Sequence, residues 1–229
     1  MRYAIFSDIH ANIIALRRVL AEAKLLKADA FLCLGDIVGY GPEPVTAVRM
    51  IRDSFVMCIA GNHDDAVCGR MPLDNFTGIA EGAVARHAEA LSDDDKSFLA
   101  SLPYVHRLSL SAVAVHGDMT DPDKFYYVEN EDDAEANFKA TNAQLIFVGH
   151  THVPALFLTG ASGKVYKMEP QDFTIEQGKR YIVNPGSVGY PREENGVCRS
   201  SFVIYDSDES TITYHYVPFL VESLLPNVK

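Results

Sequence analysis

The chain is short of positive charge: 20 lysines and arginines face 31 aspartates and glutamates, a formal net charge of −11 over 229 residues. Holding a nucleic-acid backbone by charge needs clustered Lys and Arg. No long nucleic acid is therefore expected as a partner, and an anionic substrate would need local positive charge that bound cations can supply. Cysteine is scarce too. Cys33, Cys58, Cys68 and Cys198 form no C-x-x-C pair. Cys33 and Cys58 lie in apolar runs that read as strands, so reduced thiols are expected rather than disulfides or a thiolate metal site. No apolar run approaches the length of a membrane span, and "MRYAIFSDIH" lacks a long apolar h-region and a small-residue cleavage site. No membrane partner and a cytoplasmic location are the expectations. Linkers, repeats and low-complexity segments are missing, which predicts a single domain over 1–229 with a helical insertion at about 66–102.

What is present is an ordinary globular balance, 48% hydrophobic and 22% charged, which argues against disorder or a fibre. Short apolar runs recur and end in turn chemistry: "YAIFSDIH", "AFLCLGDIV", "VMCIAGNH", "AVAVHGD", "LIFVGHTH" and "YIVNPGS". Each reads as a buried strand. Between the first two, Ile13, Leu16, Val19, Leu20, Ala23 and Leu26 recur at helical spacing behind Asn12, a suitable N-cap. A second helix is predicted from Pro44 to Asp53, and further ones between Phe76 and Leu102 and over "NEDDAEANFKATNA". The acidic run "SDDDK" at 92–96 suits a helix N-terminus. Alternating helices and strands imply a largely parallel sheet covered on both faces. The final third, with "ALFLTG", "KVYKME", "SSFVIYD" and "TITYHYV", predicts an antiparallel second sheet stacked on the first.

At 58–65 an apolar run breaks into Gly-Asn-His-Asp-Asp. Polar groups at the end of a buried strand are costly unless each finds a partner. Comparable tips carry Asp8 and His10, Asp36, Asn62 and His63, His116, and finally His150 and His152. Alternate residues of an extended segment point the same way, so Asp8 with His10, and His150 with His152, are expected to converge. The carboxyl ends of strands line the ligand crevice of an open α/β sheet. Gly35, Gly61, Gly117 and Gly149 adjoin these residues and suit close backbone approach. A carboxylate, imidazole and amide set without thiolate favours a catalytic site for divalent Mn, Fe, Zn, Co or Ni.

The ordered elements "DIH" (8–10), "GDIV" (35–38), "GNHDD" (61–65), "HGD" (116–118) and "GHTH" (149–152) resemble the signature of the calcineurin-like metallophosphoesterases, from residue 3 to about residue 190. The likeness is nearest to the small single-domain bacterial and archaeal phosphodiesterases. The resemblance implies an α/β fold, a four-layer α/β/β/α sandwich of two mixed sheets. It also implies two divalent ions, one held by Asp8, His10, Asp36 and His152 and the other by Asp36, Asn62, His116 and His150, with Asp36 shared. A water bridging the ions would lose its proton near neutral pH and attack a small phosphoester or nucleotide substrate in line, phosphodiesters foremost. His63 is the expected general acid, and Asp64 the expected partner that orients its ring and keeps it protonated; Asp65 is expected to cap the next helix. Two other readings stay open: a silent scaffold of the same fold, and a phosphatase for phosphoproteins or dinucleoside polyphosphates. Oligomeric state is open, a homo-oligomer included. Tyr40, Asn184 and Arg192, in the turn-rich "GYGPEP" and "NPGSVGYPRE", are candidates to reach a phosphate or a base, with Arg70 and Arg86 weaker ones. His87, His106 and His215 lie outside the signature and read as helix-face, loop and strand-surface residues.

Overall fold

The computed structural model describes residues 1–54, 56–73, 76, 78–192 and 199–219. Cys198, and Glu193 at the end of "NPGSVGYPRE", lie outside them. The chain runs β1 (Arg2–Phe6), α1 (Ile13–Leu25), β2 (Ala30–Cys33), α2 (Pro44–Arg52), β3 (Val56–Cys58), α3 (Asn62–Cys68), α4 (Gly78–Ala90), α5 (Asp93–Ser101), β4 (Val105–Arg107) and β5 (Ala112–Val115). It continues with α6 (Glu131–Ala140), β6 (Leu145–Phe147), β7 (Ala155–Thr159), β8 (Val165–Met168), β9 (Phe173–Thr174), β10 (Arg180–Asn184), β11 (Arg199–Asp206) and β12 (Thr211–Pro218).

Two six-stranded mixed sheets result, in the orders β3-β2-β1-β11-β12-β9 and β4-β5-β6-β10-β7-β8. The expected split, a parallel sheet first and an antiparallel one after it, is not what the chain does. Each sheet has its own parallel trio, β1 with β2 and β3 in one and β5 with β6 and β10 in the other. Each trio leaves an edge of unpaired N–H and C=O groups that must find partners. The antiparallel strands of the final third divide between those edges, β11 pairing with β1 and β7 with β10.

Strand periodicity then sets the layers. In β1, Ala4 and Phe6 face one way, into a core shared with Leu16 and Val19 of α1 and Val48 of α2. Ile5 faces the other way, against Ala112, Ala114, Phe147 and Val183 of the second sheet. The far face of that sheet buries Val113, Ile146 and Phe157 against Ala134 and Phe138 of α6. The order is therefore helices, sheet, sheet, helix. Each large apolar side chain buried this way contributes about 1.5–3 kcal/mol, and the core between the sheets fixes their strand ends at one common edge.

The helices start where the sequence signals it. Asn12 Oδ1 accepts from Ala15 N–H at 3.1 Å at the start of α1, and Ser92 Oγ accepts from Asp95 N–H at 3.2 Å at the start of α5. Asp95 does more than complement a dipole. It is buried and takes hydrogen bonds from Arg52 Nη1 at 2.8 Å and Arg49 Nη2 at 3.2 Å, tying α5 to α2. Cys33, Cys58 and Cys68 are free thiols. Among the described residues no helix is long and apolar enough to cross a membrane.

Candidate metal centre

Strand alternation is not what makes Asp8 meet His10, and His150 and His152 enter two different donor groups rather than one. β1 stops at Phe6 and β6 at Phe147. Beyond those ends Asp8 (φ 56°), His10 (47°), Asp36 (54°), His150 (67°) and His152 (64°) all adopt the left-handed conformation. For residues other than glycine this region is strained by about 1–2 kcal/mol and clusters at functional sites. Cross-loop hydrogen bonds hold the geometry. Asp8 N–H donates to Gly35 O (3.1 Å), His10 N–H to Asp36 O (2.9 Å) and Gly149 N–H to His116 O (2.8 Å). Room for a side chain is absent at Gly35, Gly61, Gly117 and Gly149, where a Cβ would overlap Gly61 N, Asp36 Oδ1, Phe125 Cα and Ser7 Oγ respectively.

Two groups of buried side chains each bring their donor atoms within 4.8 Å of one another: Asp8, His10, Asp36 and His152, and Asp36 with His116 and His150. Asp36 belongs to both. Its Oδ2 lies 3.4 Å from His116 Nε2 and 3.6 Å from His10 Nε2, while Asp8 Oδ1 lies 3.4 Å from His152 Nε2 and 3.8 Å from His10 Nε2.

The tautomers follow from the backbone. His10 Nδ1 meets Val38 O (2.9 Å), His116 Nδ1 meets Leu34 O (2.7 Å) and His152 Nδ1 meets Tyr190 O (2.6 Å). A carbonyl only accepts, so each Nδ1 carries the hydrogen, and in the neutral rings of His10 and His152 a bare Nε2 turns inward. His10 and His152 thus aim two lone pairs at each other across 3.0 Å. Neither ring takes a proton to relieve this. Burial lowers the His10 pKa far below its usual value and that of His152 to about 3. Asp8 Oδ1, Asp36 Oδ2, Asn62 Oδ1 and His116 Nε2 are buried without hydrogen-bond partners. Facing lone pairs and orphaned oxygens, with two carboxylates to balance charge, are the donor set a divalent cation satisfies.

Among these side chains the charges compensate one another. Burial drives Asp8 up to about 7, against the pull of His116. Burial would raise Asp36 as well, but His116 and His63 hold it well below the usual carboxylate range. Burial would lower His116, yet Asp36 and Asp8 carry it to about 10. A dication at this point would take over that role and displace the proton from Nε2.

Asn62 and His63 open α3. The His63 ring is buried against Tyr40 (centroids 5.1 Å), His10 (4.8 Å) and Phe76 (4.8 Å), with Nε2 4.0 Å from Asp36 Oδ2. Burial lowers its pKa, against the pull of Asp36. The contact expected from Asp64 to that ring is not made. Asp64 Oδ1 accepts from the N–H groups of Ile37 (2.9 Å) and Val38 (3.2 Å), and Oδ2 from Gly61 N–H (3.1 Å). Backbone donors left without partners by two tight turns claim the carboxylate first. Asp65 likewise serves Arg70 and Tyr104 Oη, and Arg70 reaches on to Ala100 O and Leu102 O, so this pair braces α3 against α5.

A cavity of about 210 Å³ lies over the cluster, lined by Asp36, Asn62, His63, His150 and His152 below and by Tyr40, Phe76, Tyr127 and Arg192 at its walls. Of the loop candidates, Tyr40 and Arg192 reach it. Asn184 does not: its side chain bonds Gly149 O (2.8 Å), Thr151 Oγ1 (3.0 Å) and Gly186 N–H (2.8 Å), bracing the His150–His152 turn. Arg86 lines a neighbouring hollow behind Tyr40.

Sequence reasoning missed His87. From α4 its Nδ1 accepts from Gly39 N–H and its Nε2–H donates to Gly41 O, both at 3.0 Å, gripping the loop that carries Tyr40. Its signal was present: His87 shares the buried stripe of α4 with Ala83 and Val84, where a polar side chain needs a partner.

Comparisons with known proteins bear on this geometry. The family model of the calcineurin-like phosphoesterase superfamily domain matches residues 1–210. An uncharacterized protein of Methanocaldococcus jannaschii is 34% identical over 214 residues, covering 91% of this chain and 84% of its own. The crystal structure of a metallophosphoesterase from Sphaerobacter thermophilus superposes with a TM-score of 0.82 at 34% identity, covering 98% of this chain and 91% of that one. A hypothetical protein from Pyrococcus horikoshii shares the fold at 19% identity, with a TM-score of 0.76 over 97% of this chain and 90% of its own.

Proposed function

Because the chain belongs to the calcineurin-like phosphoesterase superfamily, we propose that it is a dinuclear metal-dependent phosphodiesterase acting on small phosphoesters or nucleotides, with phosphomonoesters as poorer substrates. The observation that carries this reading is the pair of buried donor groups sharing Asp36, with orphaned oxygens and inward lone pairs. Asp8, His10, Asp36 and His152 would hold one divalent ion, and Asp36, Asn62, His116 and His150 the other, from among Mn, Fe, Zn, Ni or Co. When bound, such a pair supplies Lewis acidity and lowers the pKa of a water molecule toward neutrality.

The chain's own side chains supply the rest. Asp36, which belongs to both donor groups, would offset the repulsion between two cations held there. The backbone carbonyls of Val38, Leu34 and Tyr190 hold three imidazoles in the tautomer that presents Nε2. Water adds to phosphorus opposite the leaving oxygen, without a covalent enzyme intermediate. His63 places a ring N–H against the departing oxygen, offsets its developing charge and, as the imidazolium, gives up a proton as the bond breaks, returning to the neutral ring. Asp64 acts at one remove by fixing the turns on either side of Asp36 and His63. A scaffold that has lost catalysis is disfavoured, because every position of the donor set keeps a competent side chain.

The test is a panel of phosphodiesters and phosphomonoesters assayed with each of the five metals, followed by one turnover in ¹⁸O-labelled water. Metal-dependent diester hydrolysis with the label in the phosphate product is expected. Inactivity with every metal, or label confined to the alcohol, would refute the proposal.

A further inference from the structure

Arg192 is exposed at the cavity rim, yet its position is specified. Its Nη2 donates to Tyr40 Oη at 2.8 Å. Its guanidinium lies 5.8 Å from the Tyr40 ring centre and 5.9 Å from that of Tyr190, two rings stacked on each other at 4.2 Å and 14°. Its main-chain N–H points to His152 O. Tyr40 also packs edge-on against His10 at 4.7 Å, so Arg192 stands one aromatic ring away from the donor cluster. Among the described carboxylates none pairs with it, although acidic residues outnumber basic ones 31 to 20. A guanidinium held by one hydroxyl and two ring faces keeps the rest of its planar fork for an anion that arrives with the substrate.

Resting on the phosphodiesterase reading above, we infer that Arg192 with Tyr40 forms a subsite for a second anionic group of the substrate, a phosphoryl or carboxylate group separate from the scissile phosphoryl. Tyr40 and Arg192 stand at the wall of the cavity, and Asn62, His63, His150 and His152 at its floor. The scissile group meets Asn62, His63, His150 and His152 on one side, and the second anion meets Arg192 on the other. The bond chemistry is unchanged: water adds to phosphorus, the P–O bond to the leaving group breaks, and the leaving oxygen takes a proton. The subsite acts on substrate choice and appears in KM rather than kcat.

Three probes sharing one leaving group test this: ethyl p-nitrophenyl phosphate, and its analogues bearing a terminal phosphate or a terminal carboxylate on the ethyl group. With the divalent metal supplied, the wild type should show a KM about tenfold lower for at least one analogue than for the plain ester. Arg192→Gln should remove most of that preference, Arg192→Lys should restore part of it, and Tyr40→Phe, which keeps the ring and loses the hydroxyl, should weaken it. Preference for both analogues identifies a general anion subsite, and preference for the phosphate analogue alone a phosphoryl subsite. Equal losses by Arg192→Gln on all three probes would place Arg192 at the scissile group and overturn the inference. So would a wild type without preference. If the wild type hydrolyses none of the probes with any metal, the phosphodiesterase reading fails first and takes the subsite with it.

Discussion

His87→Ala tests whether the loop above the metal cluster is held by a neutral imidazole. The ring is 4% exposed and joins Gly39 N–H and Gly41 O. Truncation leaves two buried backbone groups unpaired, each at about 1–3 kcal/mol, so urea denaturation near neutral pH should show a loss of about 2–5 kcal/mol. The loss should also depend on pH. Burial lowers the His87 pKa to about 4 in the folded chain, helped by Arg86 and His63, while the unfolded value is about 6.5. Below about pH 6.5 the unfolded state therefore binds a proton that the folded state refuses. The stability His87 provides is complete above that pH and drains away as pH falls toward 4. Linkage puts the shrinkage of the wild-type advantage over His87→Ala at about 2 kcal/mol between about pH 7.5 and about pH 5. Alanine does not titrate, and acid effects on the metal cluster are common to both proteins, so they cancel in the difference. A difference that stays constant over this range would refute the neutral clamp.

Asp36→Asn should reduce the metal recovered with the protein, read by elemental analysis, from about two ions per chain to one or fewer, because the side chain common to both donor groups loses its charge. Gly39→Ala should cut kcat sharply and cost about 2–4 kcal/mol in denaturation: Gly39 has φ +99°, and a Cβ there would run into the His63 and His10 rings. Stripping metal with a chelator should lower the melting temperature, since ions at about 100–1,000 times their Kd stabilise the folded state by about 3–4 kcal/mol. His63→Ala should slow esters with basic alkoxide leaving groups more than p-nitrophenyl esters, a difference visible in kcat/KM across a leaving-group series.

Much of this site was legible in the sequence because the donor residues sit at abrupt ends of apolar runs, a pattern that strand burial and polar cost together make visible. Asp8, His10, Asp36, His116, His150 and His152 were located that way, and the structure brings them together. Alternation does not explain the convergence, since it applies only inside a strand, and Asp8, His10, His150 and His152 lie beyond β1 and β6 in the left-handed conformation. Asp64 was misread because proximity in sequence to His63 says nothing about which donors compete for a carboxylate, and the amides of Ile37, Val38 and Gly61 do. Asn184 offered the same trap. The sharing of final-third strands between the two sheets was not legible either: pairing depends on which edges stand open, a property of the assembled trios rather than of any one segment.

The donor groups straddle the boundary between the sheets. Asp8, His10 and Asp36 hang from the ends of β1 and β2, and His152 follows β6 of the other sheet. An ion gripped by all four would be a rivet through two plates. It would seat fully only once both plates had formed and aligned, so a bound cation would report on the seam as well as serve the chemistry.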